Sequence, residues 1–468
     1  MLRGTILQPW NWHSPNKDRD GLNLWQRLDQ DAKLIKAMGF TAVWLPPSSQ
    51  GVGGVGDVGY GVKDWYTLDS TKYGNKQQLA KACQSLKNNG IQIYHDQVHN
   101  HLMGGKLEKD VWCLHVKCNN KNEPLTPYNV WFQHDIPSSF PWLELNHSHF
   151  DAYHPNSRDC WAITGKHFDR EAKMDPLMGC DLDFDNIDLV KKLEQFGLWF
   201  KKEIHTDGYR FDAVKHIRPM GTLNFLTAMR YSENKNLFAV GEFFSDNIDE
   251  LQEYINQTLG QISLFDFALQ RKLVHASREG RHFNMASLNQ GTLTTQQPVL
   301  SVPFIHSHDD QPAMHGGEKR GEYICEWFIS QAYAMILLRD EGYPMVSGVD
   351  MQNHPDLLKH LMLVRTDCTY GERHDRFDHN NTVAWAYSGG DDFDNSMAVV
   401  MTSGDYGSKW LSTRRPHVRY IDFLDGIPEA VTTNEHGWAE FYCPPGKTSI
   451  WLEESKYHYL KTKLMVLG

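Results

Sequence analysis

Four acidic residues stand where short apolar runs end: Asp96 in Asp96-Gln-Val-His-Asn-His101, Asp212 in Gly208-Tyr-Arg-Phe-Asp-Ala-Val-Lys-His216, Glu242 in Val240-Gly-Glu-Phe243, and Asp309 in Phe304-Ile-His-Ser-His-Asp309. Side chains two residues apart on a strand share a face, so Arg210 and Asp212 point to the same side, where a guanidinium keeps a carboxylate ionised and aimed. That suits Asp212 to nucleophilic attack. Glu242 closes an apolar strand with no cation near it in sequence, a setting that raises a carboxyl's pKa and lets it hold a proton for donation. One ionised and one protonated carboxyl are the equipment for breaking a glycosidic bond with retention of configuration.

Taken one at a time, these residues have plainer roles. An acid at a strand end is often a helix cap or an ion-pair partner, Arg210 could be a structural ion-pair residue, and Lys215-His216 a solvated helix start. Four acids at four strand ends are a different matter. The pairs His99/His101, His147/His149 and His306/His308 raise a rival, a barrel hydrolase with imidazole ligands on zinc. That rival leaves Arg210 and Glu242 without roles, and its pairs lie on separate segments with no Cys or carboxylate completing a ligand set.

The elements that must position the acids follow a βα rhythm. Thr41-Ala-Val-Trp-Leu45 is a compact apolar strand before Pro46-Pro47, and Leu28, Ala32 and Ile35 form a helical face ahead of it. Leu79, Cys83 and Leu86 make the next helical face, Gly90 stops it, and Ile91 to Asp96 is the next strand. Leu189, Leu193, Phe196 and Phe200 mark a further helix, followed by strands over Asp207–Asp212 and Leu237–Glu242. Strands and helices alternating over this length imply an α/β fold, a parallel (β/α)8 barrel over 1–101 and 185–370, with its reactive groups at the C-terminal strand ends. Residues 102–184 break the rhythm. They read as a loop-like insertion after the third strand, rich in aromatics and His, and Cys113, Cys118, Cys160 and Cys180 permit a local disulfide framework there, with free buried thiols as the alternative. After about residue 370 the helical period vanishes, and 371–468 reads as an antiparallel β-sandwich domain containing Met397–Thr402 and Thr448–Leu452.

The 468 residues carry 47 basic and 58 acidic side chains, a net charge of −11 and a pI near 6.1. No basic surplus is left to neutralise phosphates, which argues against nucleic-acid or anionic-membrane partners and for a neutral substrate. The best apolar run, Ala332–Leu338, is broken by Arg339, far short of the roughly 20 residues a membrane span needs. Residues 3–10 already read as a strand rather than a leader, so the protein is either intracellular or has had a signal peptide removed. We expect an extracellular monomer, with a cytoplasmic location as the alternative.

In this order the motifs resemble those of the α-amylase family of glycoside hydrolases, within it the bacterial liquefying type. The likeness runs from Gly4-Thr-Ile-Leu-Gln8 through Gly39-Phe-Thr-Ala-Val-Trp-Leu-Pro-Pro47 and Val58-Gly-Tyr-Gly61 to Gly437-Trp-Ala-Glu-Phe441. It implies Asp212 as nucleophile, Glu242 as general acid/base and Asp309 as the carboxylate that stabilises the transition state. Tyr60, His101, Arg210 and His308 match positions that hold the sugar where the bond breaks, and Lys215 with His216 matches the leaving-group side. It further implies a calcium ion held by Asn100, Asp175, Asp181 and the His216 carbonyl, an all-oxygen set suited to a hard cation. The activity implied is endo-hydrolysis of α-1,4 bonds in starch, glycogen and malto-oligosaccharides. A transglycosylase using the same covalent intermediate is one alternative. A non-catalytic glycan-binding barrel is another, but it would be expected to have lost one of the three acids. Ser307 stands where the family usually has Asn, Gln97 replaces a small apolar residue, Gly342–Gly348 lacks an aromatic pair, and the insertion is short. Within it, Trp112, Trp131, Trp142 and Trp161 are expected to include sugar-stacking rings.

Overall fold

The computed structural model describes residues 4–104, 106–117, 126–134, 145–154, 159–163, 177–233, 236–310, 323–390 and 393–467; of 106–117, 126–134 and 159–163 the backbone is described. Eight parallel strands follow one another in chain order around a barrel: β1 (Ile6–Gln8), β2 (Ala42–Leu45), β3 (Gln92–Gln97), β4 (Gly208–Phe211), β5 (Phe238–Gly241), β6 (Ser263–Phe265), β7 (Ser301–Val302) and β8 (Met345–Ser347). β8 pairs with β1 (Ile6 opposite Met345). The ring is drawn shut by Tyr343 N–H donating to the Ser301 carbonyl and Met345 N–H to the Pro303 carbonyl, both at 2.9 Å.

Eight helices cross back over the strands: α1 (Leu24–Ala37), α2 (Lys76–Asn88), α3 (Ile187–Glu203), α4 (Pro219–Glu233), α5 (Ile248–Gln257), α6 (Phe267–Glu279), α7 (Ile329–Leu337) and α8 (Pro355–Cys368). Their starts are set locally. Asn23 and Asn75 each close a capping box, with Gln26 and Gln78 reaching back to the cap backbone. Their ends are set by Gly39 (φ 93°) and Gly90 (φ 68°), in the left-handed region where a side chain is strained. The expected helical faces are buried, Leu28, Ala32 and Ile35 on α1, Leu79, Cys83 and Leu86 on α2, and Leu189, Leu193, Phe196 and Phe200 on α3. All of β2 is buried as well, as a parallel sheet covered on both faces requires.

Between β3 and α3 the chain forms a six-stranded sheet from 101–102, 106–117, 126–134, 150–154, 159–163 and 179–182. The loop-like reading of this insertion is therefore corrected. Its pairings are antiparallel; 106–117 with 126–134 and 150–154 with 159–163 join chain neighbours, whereas Cys180 opposite Leu102 and Asp181 opposite His101 join segments that a local pattern does not connect. Cys180 is a buried thiol, which takes it out of the expected disulfide framework. The side chains of Cys113, Cys118 and Cys160, the four insertion tryptophans and Asp175 lie outside the described residues.

A second antiparallel assembly follows α8, with a six-stranded sheet from 373–376, 382–387, 397–402, 448–453, 419–422 and 431–432, and a two-stranded ribbon of 407–412 with 438–443. The chain then ends in a helix, Glu454–Leu467, where the sequence reading had no helix. Only Leu460 of it is buried, so its apolar stripe is too thin to read. Among the described residues no helix is long and apolar enough to cross a membrane.

Candidate active site

The acids meet where β3, β4 and β5 end. Arg210, on β4, is 1% exposed and gathers three of them: Nη1 lies 2.9 Å from Asp96 Oδ1 and 2.7 Å from Asp212 Oδ1, and Nη2 2.9 Å from Glu242 Oε2. Register explains this. Arg210 pairs with Asp96 on one side and Val240 on the other, and Asp212 and Glu242 each follow their strand's last residue. Asp96 Oδ2 accepts from Tyr60 OH at 2.8 Å and from Trp44 Nε1 at 3.1 Å. The guanidinium lies 5.0 Å from the centre of the Trp44 ring, a cation–π contact that adds to its fixation.

Burial pushes all three carboxyls up, Asp96 and Asp212 to about 6 and Glu242 to about 8, with Arg210 pulling against it. Two expectations are corrected here. Glu242 does have a cation beside it; its carboxyl rises regardless, because burial and the charges of Asp212 and Asp309 exceed what Arg210 returns. Asp212 is not held at an ordinary carboxylate value, because burial, Asp96 and Asp309 together exceed the guanidinium. The order of the two survives, so near neutral pH Asp212 is ionised while Glu242 holds its proton.

Ala213 follows Asp212 in the left-handed region (φ 48°), a backbone state costing a non-glycine residue on the order of 1–3 kcal/mol. The turn aims Ala213 N–H at Glu242 Oε2, 3.0 Å away. The chain leaving β4 thus braces the acid at the end of β5.

His308 and Asp309 reach the same pocket from the chain after β7. His308 Nδ1 is 3.0 Å from Gln8 Nε2, and its Nε2 is 3.2 Å from Asp309 Oδ2. The rings of Tyr60, His308 and Trp12 lie nearly parallel, with Tyr60 5.1 Å from His308 (10°) and 5.9 Å from Trp12 (5°), and His308 6.4 Å from Trp12 (5°), forming a flat wall. Asp309 keeps 41% of its side chain exposed. Trp44, Phe265, Phe304, Ser307 and Glu242 line the adjoining cavity. Ser307, the expected departure, donates to Asp310 Oδ2 at 2.7 Å. His101 Nε2 lies 2.9 Å from the Tyr60 carbonyl. Lys215 donates to the Phe244 carbonyl at 3.1 Å, and His216 ends the short helical turn Val214–His216 beside it. Sequence reasoning missed Gln8, Trp12 and Trp44. Gln8 and Leu45 end β1 and β2, so the strand-end rule that found the acids also points to Gln8.

The zinc rival finds no support. His99 packs against Phe225 (4.5 Å), His149 Nε2 meets Asp188 at 2.9 Å, and His306 bonds Asp350. Among the described residues no group of three or more His, Cys, Asp or Glu is placed to hold a metal. Two of the expected calcium ligands, Asn100 and Asp181, are buried on neighbouring segments. Asn100 is 1% exposed and its Oδ1 has no hydrogen-bond partner, Leu182 N–H bonds the Asn100 carbonyl at 3.0 Å, and Asp181 is 2% exposed. A buried, unpartnered oxygen and a buried carboxylate on hydrogen-bonded backbone segments suit a hard cation.

An eight-stranded barrel with a cluster of buried acids at the C-terminal ends of its strands is the framework of a barrel enzyme whose chemistry runs on carboxyl groups. Residues 16–347 match the family model described as "Alpha amylase, catalytic domain", and the chain belongs to the α-amylase family of glycoside hydrolases. It is 34% identical to a glucan 1,4-alpha-maltohexaosidase of Bacillus sp. (strain 707), over 96% of this chain and 92% of that one. It is 35% identical to an alpha-amylase of Geobacillus stearothermophilus (96% and 87%) and 32% identical to a cytoplasmic alpha-amylase of Escherichia coli (strain K12) (97% and 99%). Among solved structures, an Anoxybacillus alpha-amylase has the same fold, with a TM-score of 0.69 and 16% identity over 96% of this chain and 98% of that one.

Proposed function

We propose that the protein is an endo-acting α-amylase that hydrolyses internal α-1,4-glucosidic bonds of starch, glycogen and malto-oligosaccharides with retention, and that 1–101 with 185–370, 102–184 and 371–468 are its three domains. The observation that carries this reading is the single guanidinium of Arg210 holding Asp212 and Glu242 side by side. Arg210 occupies Asp212 Oδ1, which leaves Oδ2 to attack the anomeric carbon and form a glycosyl ester. Arg210 and Ala213 N–H both occupy Glu242 Oε2, so Oε1 carries the proton given to the leaving oxygen. The same carboxylate then takes a proton from the water that cleaves the ester. Asp309 and His308 bind sugar hydroxyls on the open side, Tyr60 offers its ring face, His101 holds Tyr60, and Lys215 and His216 lie on the leaving-group side.

Asn100, Asp175, Asp181 and the His216 carbonyl would hold a calcium ion, whose contribution when bound is structural. It would tie the inserted sheet, through Asp181, to the end of β3, through Asn100. The reading is tested by NMR of the first product from a malto-oligosaccharide and by a time course of products from soluble starch. We expect the α-anomer first and a spread of internal fragments, both abolished by Asp212→Asn, with loss on the order of a thousandfold or more. A first product with inverted configuration, or a folded Asp212→Asn variant of near-normal rate, would overturn it.

A further inference from the structure

His306 and His308 stand two residues apart, yet their rings are held in opposite ways. His306 Nδ1 lies 3.0 and 3.1 Å from the oxygens of Asp350, a carboxylate that accepts its proton. His308 has an amide in the corresponding place. Gln8 Nε2 lies 3.0 Å from His308 Nδ1. A side-chain NH2 has no lone pair to offer, so it donates and Nδ1 is bare. The ring's proton is then on Nε2, which lies 3.2 Å from Asp309 Oδ2. The partner at one ring nitrogen has set the state of the other.

Gln8 does this at a cost to the fold. It ends β1 with 0% of its surface exposed, and its Oε1, buried as well, has no hydrogen-bond partner. An apolar side chain of the same length would leave no such orphan. A buried polar atom without a partner calls for an explanation, and the NH2 on His308 supplies it. Around the ring stand Trp10 at 4.6 Å, Tyr60 at 5.1 Å and Trp44 at 5.5 Å. The charged groups facing it are Asp309 from its own segment, and Arg210 and Glu242, which line the same cavity. Asp96 and Asp212 lie on the same guanidinium.

A neutral ring matters to the reaction. Glycosidic cleavage passes through a transition state that carries positive charge on the sugar. A neutral imidazole donates to a hydroxyl without adding a second positive charge, whereas an imidazolium there opposes the charge that the carboxylates stabilise.

We propose that Gln8 is a positioning residue: its NH2 holds His308 as the neutral imidazole with the proton on Nε2, so that the ring donates towards Asp309 and the sugar without becoming a cation. The state of the ring is independent of any activity, and its effect on rate rests on the α-amylase reading.

The test observes the ring directly. With histidine nitrogen isotopically labelled, two-bond proton–nitrogen NMR correlations separate a protonated ring nitrogen from a bare one, and His308→Gln identifies the His308 signals by their loss. In the parent at pH 7, Nε2 should be protonated and Nδ1 bare. Gln8→Met keeps the length and removes the donor, and Gln8→Glu puts an acceptor in its place. The pH at which Nδ1 gains a proton should rise from the parent to Gln8→Met to Gln8→Glu. On maltoheptaose at pH 7, kcat should fall on the order of tenfold in Gln8→Glu with KM little changed, and the acid limb of the Gln8→Met profile should move to higher pH. Circular dichroism checks folding, and Gln8→Met, which buries no charge, decides the matter if Gln8→Glu does not fold. A parent with the proton on Nδ1, or His308 signals unmoved in folded variants that merely melt earlier, overturns the assignment. Signals that move while kcat and the pH profile stay as in the parent overturn the positioning role. A parent that cleaves no malto-oligosaccharide overturns the function reading instead, and the ring's state still stands or falls by its NMR signals.

Discussion

Arg210 touches Asp212 with one nitrogen and Glu242 with the other, at 2.7 and 2.9 Å, so one planar group sets the spacing of the two acids. A lysine has the charge but not the fork. Arg210→Lys is therefore expected to fold and to lose activity by more than about a hundredfold, in kcat rather than KM, because the ammonium cannot hold both acids. With the Nη1 contact gone, Asp212 rises further above about 6. The acid limb of the kcat/KM profile, which follows ionisation of Asp212, should therefore move to higher pH. An unmoved acid limb with normal kcat would remove the bracing role.

Glu242 is raised by burial from an ordinary 4.5 to about 8. The sign is that of a carboxyl whose neutral form the fold prefers. It supports stability fully below pH 4.5, and that support is lost as pH rises through about 8. Glu242→Gln removes the ionisable group, so the variant should melt a few degrees above the parent at pH 8–9, with the gap closing towards pH 4. The same variant should be inactive on starch yet cleave a substrate with a good leaving group, which needs no proton. Identical melting curves at pH 9, or equal losses on both substrates, would contradict the assignment.

Calcium should stabilise the fold, because a ligand bound only by the native state adds RT ln(1 + [L]/Kd). Asn100 Oδ1, buried and unpartnered, is the oxygen to remove. We expect chelation to lower the parent's Tm, added calcium to restore it, and Asn100→Ala to melt at the chelated parent's temperature whether or not calcium is present. A parent free of calcium by elemental analysis and indifferent to chelator would dismiss the site.

Much of the barrel was legible because its signals are local. Asn23 and Asn75 cap, Gly39 and Gly90 stop, and Leu28, Ala32 and Ile35 recur at helical spacing. The acids were legible because strand ends are where a barrel exposes them. What stayed hidden depends on contacts distant in sequence. Gln8 meets His308 across 300 residues and Trp44 meets Asp96 across 52. Glu242 was read as cation-free because Arg210 lies on the neighbouring strand. In the sheet at 101–182, read as loop, the strands that close it onto the barrel end pair across long separations, 101–102 with 180–181 and 150–154 with 179–182. Spacing and environment already pointed to opposed roles for Asp212 and Glu242; the likeness to a known family added the role expected of Asp309.

His306 was read only as half of a His-x-His pair, and the structure gives it a different task. Its Nδ1 lies 3.0 and 3.1 Å from the two oxygens of Asp350, Tyr333 OH donates to the same carboxylate at 2.6 Å, and Ile324 N–H donates to His306 Nε2 at 3.1 Å. That last bond requires Nε2 to carry no proton, so Nδ1 carries it and donates to Asp350. The network pins the segment bearing His308 and Asp309 to α7, which carries Tyr333, and to the short helix Gly348–Asn353 after β8, which carries Asp350. Burial alone would raise the Asp350 carboxyl, yet His306 and Tyr333 hold it below the usual range. A carboxyl with a lowered folded pKa gives stability that is present above its ordinary 3.8 and lost as pH falls through the folded value. Asp350→Ala strands the His306 N–H and the Tyr333 OH in the core, at about 1–3 kcal/mol each. Urea midpoints at pH 7 should therefore fall well below the parent's, and the deficit should shrink as pH drops under 4. Tyr333→Phe removes one bond and leaves no unsatisfied donor, so its deficit should be the smaller. Equal midpoints for Asp350→Ala and the parent at pH 7 would mean that the network does not hold this segment.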